Sequence, residues 1–206
     1  MQTIGTMMRR AAPSLALAFL LALLMAAPAA AQHGPGWVIG ANGCRAWNPA
    51  MQPYRSFTWS GPCENGLVSG TGVLQWYDNG VPGDRYEGAY RDGHMSGHGV
   101  YLALDGERYE GEFKDDSRTG PGTYITRGGD RYEGTFQRSV LQGEGVGIFA
   151  NGDRYQGGFW NNRAHGEGSL RKADGTVISG DWINGCLRQG DRRYAVGVGA
   201  EAAKCP

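Results

Sequence analysis

Apolar and polar residues alternate along the middle of the chain with the two-residue period of a β-strand. In the first clear copy of this pattern, Tyr86, Gly88 and Tyr90 fall on one face of the predicted strand. A polar turn follows at residues 91–96, and a second alternating run covers residues 97–101. The pattern therefore predicts a β-hairpin.

The hairpin pattern returns every 23 residues. The repeat-defining aromatic residues are Tyr86, Tyr90, Tyr109, Phe113, Tyr132, Phe136, Tyr155, Phe159 and Trp182. The repeat-defining glycines are Gly88, Gly97, Gly99, Gly111, Gly120, Gly122, Gly134, Gly143, Gly145, Gly157, Gly166 and Gly168. Several columns that share one period indicate a repeat architecture.

The connection between successive hairpins carries a turn dipeptide. These dipeptides are Asp105-Gly106, Gly128-Gly129, Asn151-Gly152 and Asp174-Gly175. They accept positive φ and suit two-residue type I′ turns. The sequence therefore predicts an antiparallel meander in which each strand lies beside its sequence neighbours.

Glycine inside a strand is costly and needs a physical reason. We expect aromatic rings from neighbouring strands to lie flat across Gly88, Gly97, Gly99 and their equivalents, where a β-carbon would hold the ring off the sheet. Stacked rings would then give a single-layer sheet its core.

These residues resemble the MORN (membrane occupation and recognition nexus) repeat, which reads Tyr-Glu-Gly-x-aromatic, a polar turn, Gly-x-Gly-x-aromatic, then an Asn/Asp-Gly turn. Residues 130–134 and 153–157 match it closely, and the resemblance covers about 130 residues. Gly147 and Cys63 depart from the aromatic columns. The chain is similar to an exported bacterial MORN protein. The expected fold is all-β: an elongated, single-layer antiparallel β-hairpin meander with disulfide-tied terminal caps.

The N-terminus resembles a signal peptide. Arg9-Arg10 precede an apolar run at residues 15–25, and Ala29-Ala30-Ala31 gives an A-x-A cleavage signal. The apolar run is short for a membrane span, which needs about 20 residues. We expect cleavage near Ala31 and a periplasmic or secreted protein. An uncleaved membrane anchor is the alternative.

Four cysteines, Cys44, Cys63, Cys186 and Cys205, follow the predicted signal, and an even count in an oxidising compartment suggests two disulfides. About ten strands at ~4.8 Å spacing separate the two pairs by roughly 45 Å, whereas a disulfide needs Cα atoms within about 7 Å. Because an open sheet cannot join its ends, Cys44–Cys63 and Cys186–Cys205 are the expected bonds.

The chain divides into four expected parts. Residues 1–31 form the signal peptide, and residues 32–58 form an N-terminal cap that would cover the open sheet edge. Residues 59–190 form the array, with about five 23-residue units plus a partial one. Residues 191–206 form a C-terminal cap or tail.

Recurrent acids invite a catalytic hypothesis, since paired carboxylates perform acid–base chemistry. These acids are Glu87, Glu110, Glu133, Asp84, Asp130 and Asp153. They recur with the structural period, whereas an active site is normally unique, and arginines accompany them at Arg85, Arg108, Arg131 and Arg154. A solvated charge ladder is the preferred interpretation.

The sequence gives little support for metal binding or for other kinds of catalysis. His94 and His98 have a helical metal-ligand spacing but flank a glycine-rich turn, and His165 fits the repeat pattern. No nucleophile elbow or phosphate-binding loop occurs. We expect a non-enzymatic protein without cofactor or metal. The alternative is a small envelope hydrolase that uses a residue outside the period, for which His94 and Glu144 are candidates.

Charge limits the partners. The net charge is zero, or about −2 without residues 1–31, and no basic cluster occurs. Nucleic acid is therefore excluded as an expected partner. The resemblance implies self-association and membrane contact. We expect a scaffold that binds a protein partner or itself through the sheet surface, with phospholipid or cell-envelope glycan as the alternative.

Overall fold

The computed structural model describes residues 36–49, residues 56–198 and Cys205, so the predicted signal peptide lies outside the described residues. Within them, no helix is long and apolar enough to cross a membrane. The strands are β1 (Gly36–Ile39), β2 (Arg45–Asn48), β3 (Ser56–Trp59), β4 (Cys63–Glu64), β5 (Leu67–Val68), β6 (Gly70–Asp78), β7 (Val81–Arg91), β8 (His94–Leu102), β9 (Arg108–Lys114), β10 (Ser117–Ile125), β11 (Arg131–Gln137), β12 (Val140–Ile148), β13 (Arg154–Trp160), β14 (Arg163–Arg171), β15 (Val177–Trp182), β16 (Cys186–Gln189) and β17 (Arg192–Ala195).

One eleven-stranded sheet contains β3 and β6 to β15, and every strand lies beside its neighbours in this series. All of its pairings are antiparallel, with Tyr109 of β9, for example, opposite both Tyr101 and Tyr124. The predicted fold class, an antiparallel meander of β-hairpins, is confirmed. Equivalent residues of successive units therefore line up across the sheet.

The turns between units differ from the predicted two-residue type I′ form. Ala103 and Glu107 pair by a backbone hydrogen bond of 2.9 Å, and Gly106 N donates to Ala103 O at 3.0 Å. Gly106 has φ +96°, whereas Asp105 is not among the residues of positive φ. These turns are three-residue loops with one left-handed glycine, as are those at Gly129, Gly152 and Gly175.

Type I′ turns occur instead at the opposite end of each hairpin. Both central residues have positive φ at Asp92-Gly93, Asp115-Asp116, Arg138-Ser139, Asn161-Asn162 and Asn184-Gly185. The second turn residue donates its amide to a carbonyl of the preceding hairpin, as in Asp116 N to Met95 O at 3.2 Å. The Asp116, Ser139 and Asn162 side chains also accept an amide hydrogen bond from that hairpin. These bonds hold the turns in a continuous ladder.

Arg138 is a poor residue for its turn. It is exposed and adopts φ +50°, a conformation that costs an L-residue roughly 1–2 kcal/mol and that asparagine adopts more readily. We expect Arg138→Asn to raise the free energy of unfolding by about 1 kcal/mol in urea denaturation. Arg127→Asn removes an exposed arginine where φ is not positive and should change little. Equal effects of the two variants would contradict the turn-strain explanation.

Aromatic rings lie over part of the glycine set, but the ring over Gly88 comes from the same strand and not, as predicted, from a neighbouring one. A β-carbon at Gly88 would lie 2.6 Å from the Tyr86 hydroxyl oxygen, and Tyr86 also covers Gly99 on the neighbouring strand. The ring is held there because its hydroxyl donates to Ala89 O at 3.2 Å. Tyr109 and Tyr155 cover their own glycines in the same way.

The first glycine of each Gly-x-Gly pair has another role, which corrects the ring prediction for Gly97, Gly120, Gly143 and Gly166. No ring lies within 4 Å of a β-carbon at these positions, and φ ranges from +62° to +76°. The register also shifts beside them, because the strand bulges. A left-handed residue in a bulge favours glycine.

Most of the rings meet edge to face rather than in the predicted flat stacks, and Tyr124 with Tyr132 is a stacked exception. Tyr86 and Phe113 have centroids 5.1 Å apart and an interplanar angle of 90°. Tyr155 and Trp182 are 5.3 Å apart at 79°. All four are buried. Perpendicular contacts suit aromatic pairs because the positive ring edge meets the negative ring face. We call this side of the sheet the ring face.

Tyr132 breaks the ring pattern. Leu141 covers Gly134 in its place, while the Tyr132 ring lies near Gly147, where other units carry a side chain. The Tyr132 hydroxyl donates to Gly197 O at 2.8 Å. The missing side chain at Gly147 therefore leaves space for Tyr132 to contact the C-terminal segment.

Strands β1 and β2 of the predicted N-terminal cap join β4 and β5 of the predicted array in a four-stranded sheet of order β1-β2-β5-β4. The predicted Cys44–Cys63 disulfide connects the cap to this part of the array. No described cap strand is hydrogen-bonded to the edge strand β3, although Gly40 of the cap lies against the Phe57 ring of β3. Instead, Trp47 N donates to Gly93 O at 2.8 Å, in the turn between β7 and β8. The cap thus attaches to a hairpin turn.

The C-terminal segment follows the β16–β17 hairpin, and the predicted Cys186–Cys205 disulfide is present. Val196 and Val198 are buried. Val198 N donates to Asn162 O at 2.8 Å, and Ala164 N donates to Val196 O at 3.2 Å. This segment is therefore bonded to the second half of the array.

Tyr132→Phe should loosen the C-terminal segment, because it removes the hydroxyl that bonds Gly197 O. We expect a loss of about 1 kcal/mol in the free energy of unfolding. Hydrogen exchange at the Val196 and Val198 amides should become faster. Tyr155→Phe is the matched control, since its hydroxyl bonds Gly158 O within its own strand. Unchanged exchange in Tyr132→Phe would refute this role.

Candidate binding cleft

The face opposite the ring face is a polar charge ladder. Arg85 pairs with Glu87 at 3.0 Å, Arg108 with Glu110 at 2.6 Å and Arg131 with Glu133 at 2.7 Å. The hydrogen bond and charge of Arg108 lower the pKa of Glu110. The predicted charge ladder is confirmed for these three pairs.

The recurrent aspartates hold turns together. One carboxylate oxygen of Asp84, Asp130 and Asp153 accepts the amide of a residue 20 positions later, at 2.8–2.9 Å. The donors are Leu104, Ala150 and Ala173. The aspartates therefore bond successive inter-unit turns to one another, and this periodic role accounts for their recurrence.

The histidines have separate partners. His94 Nδ1 contacts Asp116, and its ring lies 5.3 Å from the Trp37 ring of the N-terminal cap. His98 Nδ1 lies 3.2 Å from the exposed Glu112 carboxylate. Burial raises the pKa of Asp116, although the His94 hydrogen bond opposes the shift. Residues 36–49 and 56–198 hold no group of three or more potential metal ligands.

Glu144, the other candidate for a catalytic residue outside the repeat period, lies on the polar face. It lines a shallow depression with Glu167 and Asp181. A backbone carbonyl, that of His165, approaches the neighbouring Gly158 closely. Ser169 and Ser179 also line this depression, and the Ser179 hydroxyl donates a hydrogen bond to that of Ser169 at 3.0 Å.

A cleft of about 330 Å³ opens on the ring face. Pro49 of the N-terminal cap borders one side. Toward the other side, Tyr124 stacks on Tyr132, which bonds the C-terminal segment. The other lining residues are Met95, Tyr101, Glu107, Arg108, Tyr109, Phe113, Asp116, Arg118 and Ser139. The N-terminal cap therefore borders the cleft, and Tyr132 connects the neighbouring rings to the C-terminal segment.

Arg118 is the distinctive residue of the cleft. Its guanidinium carbon lies 5.0 Å from the Tyr124 centroid and 5.5 Å from that of Tyr109. It donates to Ser139 O at 3.0 Å. Equivalent positions in other units are apolar, namely Met95, Leu141, Ala164 and Leu187. Sequence reasoning did not single out Arg118, although a charge in this apolar column was a usable signal.

The cleft tyrosines are neutral hydrogen-bonding groups at ordinary pH. Burial raises the pKa of Tyr109 to about 12, against the opposing charge of Arg118. Burial and a hydrogen bond to Glu107 raise the pKa of Tyr124. The cleft can bind apolar, aromatic and polar groups, and the Arg118 guanidinium, which lies beside aromatic rings, provides a positive charge for them.

The sequence model of the MORN repeat matches residues 31–45, 86–108, 109–131, 132–154 and 155–177, just over half of the chain. The chain belongs to the MORN repeat family. MORN repeats are in general non-catalytic repeats that bind proteins or membrane phospholipids. Comparison with curated proteins gave no match. The first MORN stretch lies in the predicted N-terminal cap, and the cleft lies between the second and third matched units.

Proposed function

We propose that this MORN protein is a non-catalytic scaffold that binds an extended segment of a protein partner in the ring-face cleft. The observation that carries the proposal is the open cleft of about 330 Å³ beside the N-terminal cap, where Pro49 borders it. Tyrosine and arginine, which line it, are the residue types that dominate the energetics of protein interfaces. The volume is at the lower end for a ligand pocket, which suits one or two partner side chains.

The cleft is already organised for binding. Tyr109 is held by a 5.1 Å edge contact with Phe136 and by its hydroxyl bond to Glu112 O at 3.3 Å. Arg118 is held against Tyr109 and Tyr124. Rigid aromatic groups provide contact area at little entropic cost, because few torsions are lost on binding.

The location proposed for this function is the periplasm or the cell exterior. Two disulfides are typical of a non-reducing compartment. We infer that residues 1–31 direct export and are removed near Ala31. The repeat array at residues 59–190 would then work between an N-terminal cap at residues 32–58 and a C-terminal cap at residues 191–206.

The test is selection of random 12-residue peptides on the disulfide-bonded protein, followed by NMR mapping of the bound peptides. We expect shifts at Tyr101, Tyr109 and Tyr124, with Thr123 and Glu133 on the polar face unchanged. Failure to select any peptide, or shifts confined to the polar face, would overturn the proposal.

Two further measurements separate the competing partners. Light scattering during size exclusion reports self-association, and a stable dimer that blocks peptide binding would make a second copy the partner. Incubation with phosphatidylglycerol or phosphatidylcholine vesicles reports lipid binding. Co-elution with vesicles through ring-face residues would replace the protein partner by a membrane.

A further inference from the structure

Among the described residues, four charged side chains line the cleft, and three of them already have charged or polar partners. Arg108 pairs with Glu110 at 2.6 Å. Asp116 accepts the Met95 amide at 2.8 Å through one oxygen and contacts His94 through the other. Glu107 bonds the Tyr124 hydroxyl.

Arg118 is the fourth, and it has no ion pair with a carboxylate of the described residues. Within the part of the chain that the structure describes, its side chain donates one hydrogen bond, to Ser139 O. Tyr109, Tyr124 and Phe136 surround its guanidinium at 5.0–5.6 Å. A guanidinium has five N–H donors in a planar fork, so donors remain for a ligand.

We propose that Arg118 binds a carboxylate of the partner, so that the cleft selects segments with an acidic side chain beside an apolar or aromatic one. The inference rests on the proposed function and specifies its ligand. A carboxylate matches the arginine fork with two parallel hydrogen bonds. Partial burial strengthens those bonds, because the local dielectric is lower than that of water.

Charge around the cleft favours a carboxylate over a phosphate. Glu107 and Asp116 both line the cleft, so a doubly charged anion would meet repulsion there. Arg108 is engaged by Glu110 and adds no free cation. Two arginines and two acids line the cleft, so the lining carries no excess positive charge for a doubly charged anion. This balance suits a singly charged group whose remaining contacts are with the tyrosine rings.

The repeat supplies a matched variant. Met95 occupies the position equivalent to Arg118 one unit earlier and is buried on the same face. Arg118→Met therefore removes the charge while keeping a side chain that this position already accepts. Arg127→Met removes an exposed arginine from a turn and serves as the charge control.

The experiment uses the peptides selected on the disulfide-bonded protein. Each acidic peptide is compared with its Asp→Asn or Glu→Gln form by calorimetry. We expect the amide form to bind at least about tenfold more weakly to the wild type and to the Arg127→Met control. The two forms should bind Arg118→Met equally. Thermal unfolding shows whether Arg118→Met is folded. If it is not, Arg118→Lys is used instead, because lysine keeps the positive charge but lacks the planar fork of donors.

The outcomes separate the two proposals. Selected peptides without acids, or equal binding of acid and amide forms to the wild type, overturn the carboxylate site and leave the peptide cleft intact. Recovery of no peptides overturns both. Displacement of acidic peptides by phosphatidylglycerol vesicles in an Arg118-dependent way would assign the arginine to a lipid phosphate and overturn the carboxylate proposal.

Discussion

Replacing Gly111 with valine should destabilise the protein by about 3 kcal/mol, the upper range for overpacking a filled site. A β-carbon at Gly111 would lie 2.6 Å from the Tyr109 hydroxyl oxygen and 2.8 Å from both Gly122 Cα and Pro121 O. Two of these atoms belong to the backbone of the neighbouring strand, so rotation of a side chain cannot relieve the overlap. Urea denaturation gives the change in the free energy of unfolding.

Two controls separate the ring contact from other causes. Glu110→Ala removes only an exposed ion pair with Arg108 and should have little effect. Gly120→Asn tests a glycine of φ +62°, which asparagine tolerates, where an added β-carbon would make only an ordinary contact of 3.7 Å with the Glu112 side chain. Comparable losses for Gly111→Val and Glu110→Ala would refute the argument that Tyr109 requires glycine beneath it.

The second large effect should come from the disulfides. Each closes a loop with a sequence separation of 19 residues, which corresponds to about 3 kcal/mol of stabilisation through the unfolded chain. Removing one should lower the melting temperature by roughly 6–12 °C. Calorimetry of Cys186→Ser/Cys205→Ser and of Cys44→Ser/Cys63→Ser measures the two losses separately.

Hydrogen exchange distinguishes the two variants. Loss of Cys186–Cys205 should speed exchange at Val196 and Val198, because the C-terminal segment then depends on its few hydrogen bonds. Loss of Cys44–Cys63 should leave those amides unchanged and affect the cap at Trp47. Peptide mapping that joined Cys44 to Cys205 would contradict the open sheet altogether.

The repeat period was sufficient to predict strands, their order and the buried face. It was sufficient because each unit repeats the same alternation, and neighbouring strands must then pair in sequence order. The type I′ turns, in contrast, were predicted between successive hairpins and occur instead within each hairpin. Arg138-Ser139 has weak preference for a type I′ turn, yet the Ser139 amide and side chain both bond to Arg118 of the preceding hairpin. Bonds between hairpins overrode local propensity.

The cleft was harder to foresee because its borders depend on long-range contacts. Tyr132 and Gly197 are 65 residues apart, and no periodic pattern connects them. The sequence shows Gly147 as a departure from the aromatic column, but its role depends on the position of the Tyr132 ring, which lies beside it. The sequence likewise shows Arg118 as a charged residue in a repeat column that is otherwise apolar. A charge in an apolar column shows its meaning only once three rings are seen around it.

The ladder of turns also makes the protein extensible. Each type I′ turn bonds to the hairpin before it, and the terminal segments bond to particular hairpins at Gly93 and Asn162. A tandem duplication of residues 109–131 would add two strands, or ~10 Å at ~4.8 Å per strand, without changing those attachments. Copy number would then act as a molecular ruler that sets how long a partner segment the open surface can receive.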